Sequence, residues 1–440
     1  MRSGGAVRTY LAYAAGHLTL TLLSGVWLRA SFLRPEVLGG LHFGDVLHAH
    51  SHVAFFGWTT PAIFALIAAC LPAATRRDPW LGAHAHLVGV GSGAAFVGFM
   101  LSGYAPHTIA LSTVHVVLWV TFALAAWAGL GGAGVVPRTF YRAALAFLVV
   151  AGAGAILPGV VLATGITDPW INQITLQAFL TPFISGWLLL GVMGGAYAVM
   201  SGGRYARPVL LLTVIGALPS AFLHTSAAPP WEALLWAGRG GTVMLGVAAL
   251  LLGADLLRGT GGFSLLRLAG VAALTKGVAD LTVALGLATA LLDVRNLSIA
   301  YLHLVLLAVV TPLLLLHALR VVPTGGRVVA FSGGVGVMLG ALLLLGWPGG
   351  ANMLTGLGLP PTSLLWLALA GAAVAAVAAI TLLPTGRLFP DEGTGTHPEP
   401  AAPHRAAGSR VRIHAGITGR VGDVHSGAPD EGKAGTVRGR

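Results

Sequence analysis

The sequence predicts an all-α, polytopic membrane protein of about twelve transmembrane helices, and three observations predict it. The 440 residues are 56% hydrophobic and only 9% charged, with a mean hydropathy of +0.83. Soluble domains carry about 25% charged residues, so a soluble class is excluded. Apolar stretches recur at lengths near the ~20 residues that cross a hydrocarbon core of about 30 Å. Lysine and arginine gather in alternate short connections, the pattern that orients membrane proteins.

Taken in order, spans are predicted near 9–31, 46–71, 81–103, 107–130, 141–164, 174–200, 206–224, 232–257, 264–291, 297–319, 328–347 and 362–383. The first follows Met1-Arg2-Ser3-Gly4-Gly5 with no small-residue cleavage site, so it reads as an uncleaved helix. A cytoplasmic N-terminus places Arg2, Arg8, Arg76, Arg77, Arg138, Arg142, Arg204, Arg207, Arg258, Arg267, Arg320, Arg327 and Arg387 inside. The outside then receives Arg29, Arg34 and Arg295 together with Glu36, Asp45, Asp168, Glu232 and Asp293. Both termini are therefore expected in the cytoplasm, in a bacterial-type inner membrane. Residues 1–384 read as one helical bundle, and 385–440, rich in Gly, Pro, Arg and Asp, as a disordered tail whose four histidines carry no role.

Composition narrows the chemistry. With the single cysteine Cys70 there is no disulfide framework and no Cys-x-x-Cys-His for covalent haem attachment. The formal charge of +11 lies in loops rather than on one face, so the expected partner is the bilayer and not nucleic acid. The 63 glycines permit close helix packing but name no partner.

The candidate site starts at Leu47-His48-Ala49-His50-Ser51-His52, where three imidazoles enter an apolar span. Titratable groups at membrane depth are expensive and seldom incidental. His303 in the tenth span lies at a depth similar to that of His50, and His115 in the fourth lies slightly deeper. Two imidazoles at matched depth on facing helices can supply both axial ligands of a haem iron. A helix turns about 100° per residue, so His48 and His52 share a face and His50 points away from it. Two readings stay open: His50 as a haem ligand, or His48 and His52 as a metal pair. His17 reads as a packing donor, His84 and His86 as interfacial, His224 as the end of the seventh span and His317 as a snorkelling terminal residue. Lys276 and Asp280, four apart in the ninth span, read equally as a structural ion pair or as part of a proton path. Arg239 in the eighth has no sequence partner and is a candidate for an anionic group such as a haem propionate or Glu232, with Arg295 as a second.

The run from His50 to Phe55-Phe56-Gly57-Trp58 resembles the second helix of haem–copper oxidase catalytic subunits, closest to the C-type oxidases and nitric oxide reductases. Ser298-Ile299-Ala300-Tyr301-Leu302-His303 is similar to their tenth helix, and the Leu47-His48-Ala49-His50 opening also resembles the NnrS-type proteins of nitric oxide response. The resemblance implies a twelve-helix bundle with a low-spin haem b between His50 and His303. Tyr301 stands where the family has a further haem ligand. The family's copper site needs one histidine on helix six and an adjacent pair at helix seven. Here 176–185 contains none and Ala221-Phe222-Leu223-His224 contains one, so copper is not expected. The implied protein is a bis-histidine haem protein in electron transfer, with a redox partner, or in sensing or handling nitric oxide or oxygen, and whether it catalyses a reaction is left open. The alternative is a transporter or metal-binding protein using His48 and His52.

Overall fold

A computed structural model describes residues 5–383 except 201–202, 226, 228, 259–263, 288–293, 320–324, 348 and 361. The predicted tail, with its histidines at 397, 404, 414 and 425, lies outside the described residues, as do Asp293, Arg320 and Arg387. Among the described residues there is no strand. Among these residues, ten helices are long and apolar enough to cross a membrane. They are α1 (Gly5–Ser31), α2 (Phe43–Ala69), α3 (Pro79–Ser102), α4 (Pro106–Gly132), α5 (Val135–Thr164), α6 (Pro169–Val199), α8 (Glu232–Arg258), α10 (Arg295–His317), α11 (Gly326–Gly346) and α12 (Thr362–Leu382). Two more fall outside that ten: α7 (Ala206–Ser220) has only 15 residues, and α9 (Leu265–Ala284) carries Arg267, Lys276 and Asp280. The chain is thus a multi-pass helical membrane protein.

Local chemistry sets the helix starts. Asp78 and Asp168 cap α3 and α6 by accepting from the backbone N–H of Trp80 and Ile171, each with proline at the next position. A side chain at the N-cap satisfies a donor that the first turn leaves free, and proline there sacrifices none. At the other end of α3, Gly103 has φ +56°, and a Cβ would lie 2.5 Å from Asp45 Oδ1. Glycine is required there both by conformation and by the approach of the first turn of α2.

α2, α6 and α10 form the interior, with 78, 67 and 61% of their apolar windows buried against 28–56% in the other seven spans. Each contains a widened π-helical stretch: Val53–Thr59, Pro182–Leu188 and Leu304–Val310. In α2 and α10 the stretch runs into Thr60-Pro61 and Thr311-Pro312. Proline lacks an N–H and its ring crowds the carbonyl four residues back, so the helix widens ahead of it. The three helices are tied together there, because Trp58 Nε1 donates to Thr311 Oγ1 at 3.1 Å and Trp187 Nε1 to Thr60 Oγ1 at 3.2 Å. The histidine-bearing ends of α2 and α10 are consequently aimed from this shared, hydrogen-bonded centre.

Candidate functional site

His50 lies in the last turn of the first α-helical part of α2, just ahead of the π stretch. Its Nδ1 lies 3.1 Å from Ser24 Oγ on α1. The one hydrogen of Ser24 is committed to the carbonyls of Leu20 and Thr21, at 2.7 and 3.1 Å. The oxygen therefore accepts from His50 Nδ1–H, leaving the lone pair on Nε2. Gly25 makes room for the ring, since a Cβ there would sit 3.1 Å from His50 Cε1.

His303 closes the first part of α10. Its Nδ1 is 2.8 Å from the Ile299 carbonyl, which can only accept, so Nδ1 carries the hydrogen and Nε2 again presents a lone pair. The two histidines lie close enough to act on each other electrostatically, and Arg29 acts on both. Each imidazole is only half-buried although its helix is interior. The fold thus brings together the two residues that the sequence singled out on separate helices, in the tautomer that metal-bound histidine uses.

The cations of this site are Arg29 and Arg295. They act on each other across α1 and α10, and they lie over Phe32 and Phe43, at 5.7 and 5.5 Å from the ring centroids. Among the described residues neither has an acidic partner. Arg29 was placed by sequence among the outer loop charges. The signal that would have found it is its spacing, since Gly25, which faces His50, is one helical turn earlier on the same side of α1. Arg239 is elsewhere: its guanidinium lies 5.0 Å from the Trp236 ring and 3.6 Å from the Cβ position of Gly286, with Nε buried and unpartnered. Glu232 does not take it up either, since its carboxylate accepts from Trp236 Nε1.

His48 and His52 are drawn into packing. His52 stacks on Phe99 with centroids 3.9 Å apart and donates from Nδ1 to the His48 carbonyl at 2.9 Å, while His48 meets the edge of Tyr104. Among the described residues no three histidine, cysteine or acidic side chains gather as a metal cluster.

Two other histidines, His84 and His317, sit differently from their expected places. His84 is buried, not interfacial, because it bridges helices: Tyr10 Oη is 2.6 Å from its Nδ1, and its Nε2 is 2.9 Å from the Leu118 carbonyl. His86 is exposed, as expected, beside Tyr13. His317 does not snorkel. Its Nδ1 is held by the Leu313 carbonyl, and its Nε2 is buried against Gly195 of α6, where the missing side chain leaves space for it. His17 packs as expected, 3.2 Å from the Gly57 carbonyl. His115 is fully buried against Ser92.

A second polar group lies on the α9 side of α10. Lys276 Nζ contacts Asp280 Oδ2 at 2.5 Å, and Tyr301 Oη donates to Asp280 Oδ1 at 2.7 Å. Lys276 and Asp280 are both buried, and His224, after α7, acts electrostatically on both. Sequence paired Lys276 with Asp280 but missed Tyr301, which approaches from another helix. Lys276 also borders a cavity of about 10 Å³, room for a single water.

No protein-family model matches the chain, and no similar sequence is found among curated proteins. What stands without them is the class: a multi-pass, helical membrane protein in which His50 and His303, on two of its central helices, lie within electrostatic reach of Arg29 on α1.

Proposed function

We propose that this is a b-type haem protein of a bacterial-type inner membrane, in which His50 and His303 would hold the iron of a low-spin haem, and that both termini are cytoplasmic. In this reading α7 and α9 also cross the bilayer, giving the twelve-helix bundle of a divergent relative of the haem–copper oxidases and NnrS-type proteins. One observation carries the proposal: two imidazoles from two interior helices lie within electrostatic reach of each other, each with Nδ1 hydrogen-bonded to a protein oxygen, which leaves Nε2 as the ligating nitrogen. Iron takes such a nitrogen pair readily, and the second hydrogen bond fixes ring orientation and basicity.

The residues present fit the group at its other end as well. Two neighbouring guanidiniums with no acidic partner among the described residues suit a pair of propionates, a charge-assisted pairing in which arginine excels. When bound, the haem supplies one-electron chemistry. The chain's part is to hold the ring between α2 and α10, to set its charge environment through Arg29 and Arg295, and to exclude water by its bundle. The function is electron transfer with a redox partner, or the sensing or handling of a small gas such as nitric oxide. Where a copper centre would need three imidazoles, α6 presents Gln177, and α7 is followed by the single His224, so copper is not part of the reading.

The test is an absorption spectrum of the purified protein, oxidised and reduced, for wild type, His50→Ala and His303→Ala. A sharp reduced α band in wild type, lost in both variants while membrane insertion persists, supports the reading. Undiminished haem in both variants, or no haem in wild type expressed with ample haem, ends it. Insensitivity of the reduced band to carbon monoxide separates electron transfer from gas binding.

A further inference from the structure

We propose that the groove between α11 and α12 is a binding site for one anionic phospholipid, with an acyl chain along the groove and the phosphate on Arg327. The two helices cross at close range around Gly334 and Gly371. A Cβ on either would lie 2.6 Å from backbone nitrogen of the other helix, at Ala375 and Met338. Away from that crossing a groove of about 430 Å³ opens between them, within the ~300–1,000 Å³ range of ligand pockets. Ala330, Val374, Val377 and Ala378 form its walls, and Arg327 and Thr381 stand at one end.

The medium on the open side is settled by the helices themselves, since both are long and apolar enough to span a membrane. Val374 and Val377 are 47% and 64% exposed along the groove, so its wall meets hydrocarbon. From Ala373 to Thr381 the wall runs about 12 Å at 1.5 Å per residue, most of one leaflet of a ~30 Å core. Its polar end is at the membrane face: Arg327 is in the first turn of α11 and Thr381 in the last turn of α12.

Charge complementarity names the occupant. Arg327 Nη1 donates to the Thr381 carbonyl at 2.9 Å, which pins the guanidinium at the mouth and leaves its other donors outward. Among the described residues it has no acidic partner. Guanidinium matches a phosphate in a two-point fork, and a cation at the headgroup level favours anionic lipid. A choline headgroup would bring an ammonium that finds no carboxylate among the groove residues. This site is independent of the haem reading.

The test uses the full chain carrying a photoreactive phenylalanine analogue at the exposed Val377 position, in vesicles of phosphatidylcholine with a minor share of phosphatidylglycerol. Illumination should capture phosphatidylglycerol several-fold above its share of the vesicle. Arg327→Gln should return that ratio to the bulk composition, and Val374→Trp, which fills the groove from an exposed position, should cut total lipid capture. Capture of the two lipids in bulk proportion by the parent protein overturns the proposal, as does an unchanged ratio in Arg327→Gln. So does cross-linking to residues 384–440 of the same chain or to a second copy.

Discussion

Replacing Lys276 by methionine probes the most expensive polar contact in the bundle. Lys276 and Asp280 lie on one face of α9, both about 3% exposed, with Nζ and Oδ2 2.5 Å apart. At that separation, with an effective dielectric of about 20, the gross attraction is about 7 kcal/mol. Taking both charges out of water consumes much of it, so the pair is close to neutral against an apolar replacement of similar volume. Removing one partner is different, because it strands the other charge inside. Lys276→Met leaves Asp280 with only the Tyr301 hydroxyl and should cost about 3–5 kcal/mol. Tyr301→Phe should cost about 1.5–3 kcal/mol, the value of a hydrogen bond to a charged group. The double variant Lys276→Met/Asp280→Leu should recover most of the loss. Reversible unfolding in mixed detergent–SDS micelles, followed by tryptophan fluorescence, measures all three together with the single Asp280→Leu variant. If the double variant loses the sum of its two single losses, the residues do not act as a pair and the reasoning fails.

The remaining predictions concern the α2–α10 site. His48→Ala and His52→Ala should keep the haem spectrum that His50→Ala and His303→Ala lose, and equal loss in all four would point to general misfolding. Gly25→Leu should abolish haem loading without preventing insertion, because even its Cβ would meet His50 Cε1 at 3.1 Å; full loading would show that the ring does not face α1. Arg29→Gln should lower the haem reduction potential, since a positive charge favours the reduced state. Spectroelectrochemical titration measures it, and a potential that rises instead contradicts the placement of Arg29. Gly334→Leu should destabilise the α11–α12 pair by at least about 1–3 kcal/mol through overpacking, read in the same micelle assay.

Hydropathy located the spans because the bilayer imposes one requirement on every crossing segment: its side chains must be apolar and its backbone bonded within itself. That requirement is local, so it is written locally. It also exposed His50 and His303, since imidazoles stand out against such a background. Which histidines meet was not local. His84 and His317 looked terminal by position, yet each turns inward where a neighbouring helix offers a carbonyl or a glycine surface. Tyr301 was legible only as a departure from a family pattern, and its partner Asp280 lies 21 residues away on another helix.

The sequence by itself determined that this chain is a polytopic helical membrane protein, where most of its helices run, and which rare polar groups they carry. Tertiary structure alone decided that His50 and His303, each just ahead of a π-widened stretch, come within electrostatic reach of each other and of Arg29, while Arg239 lies against Trp236. The physical reason is range. Hydropathy sums along one segment, whereas a site between helices depends on crossing points set by glycine contacts and on helix phase, which each π stretch resets.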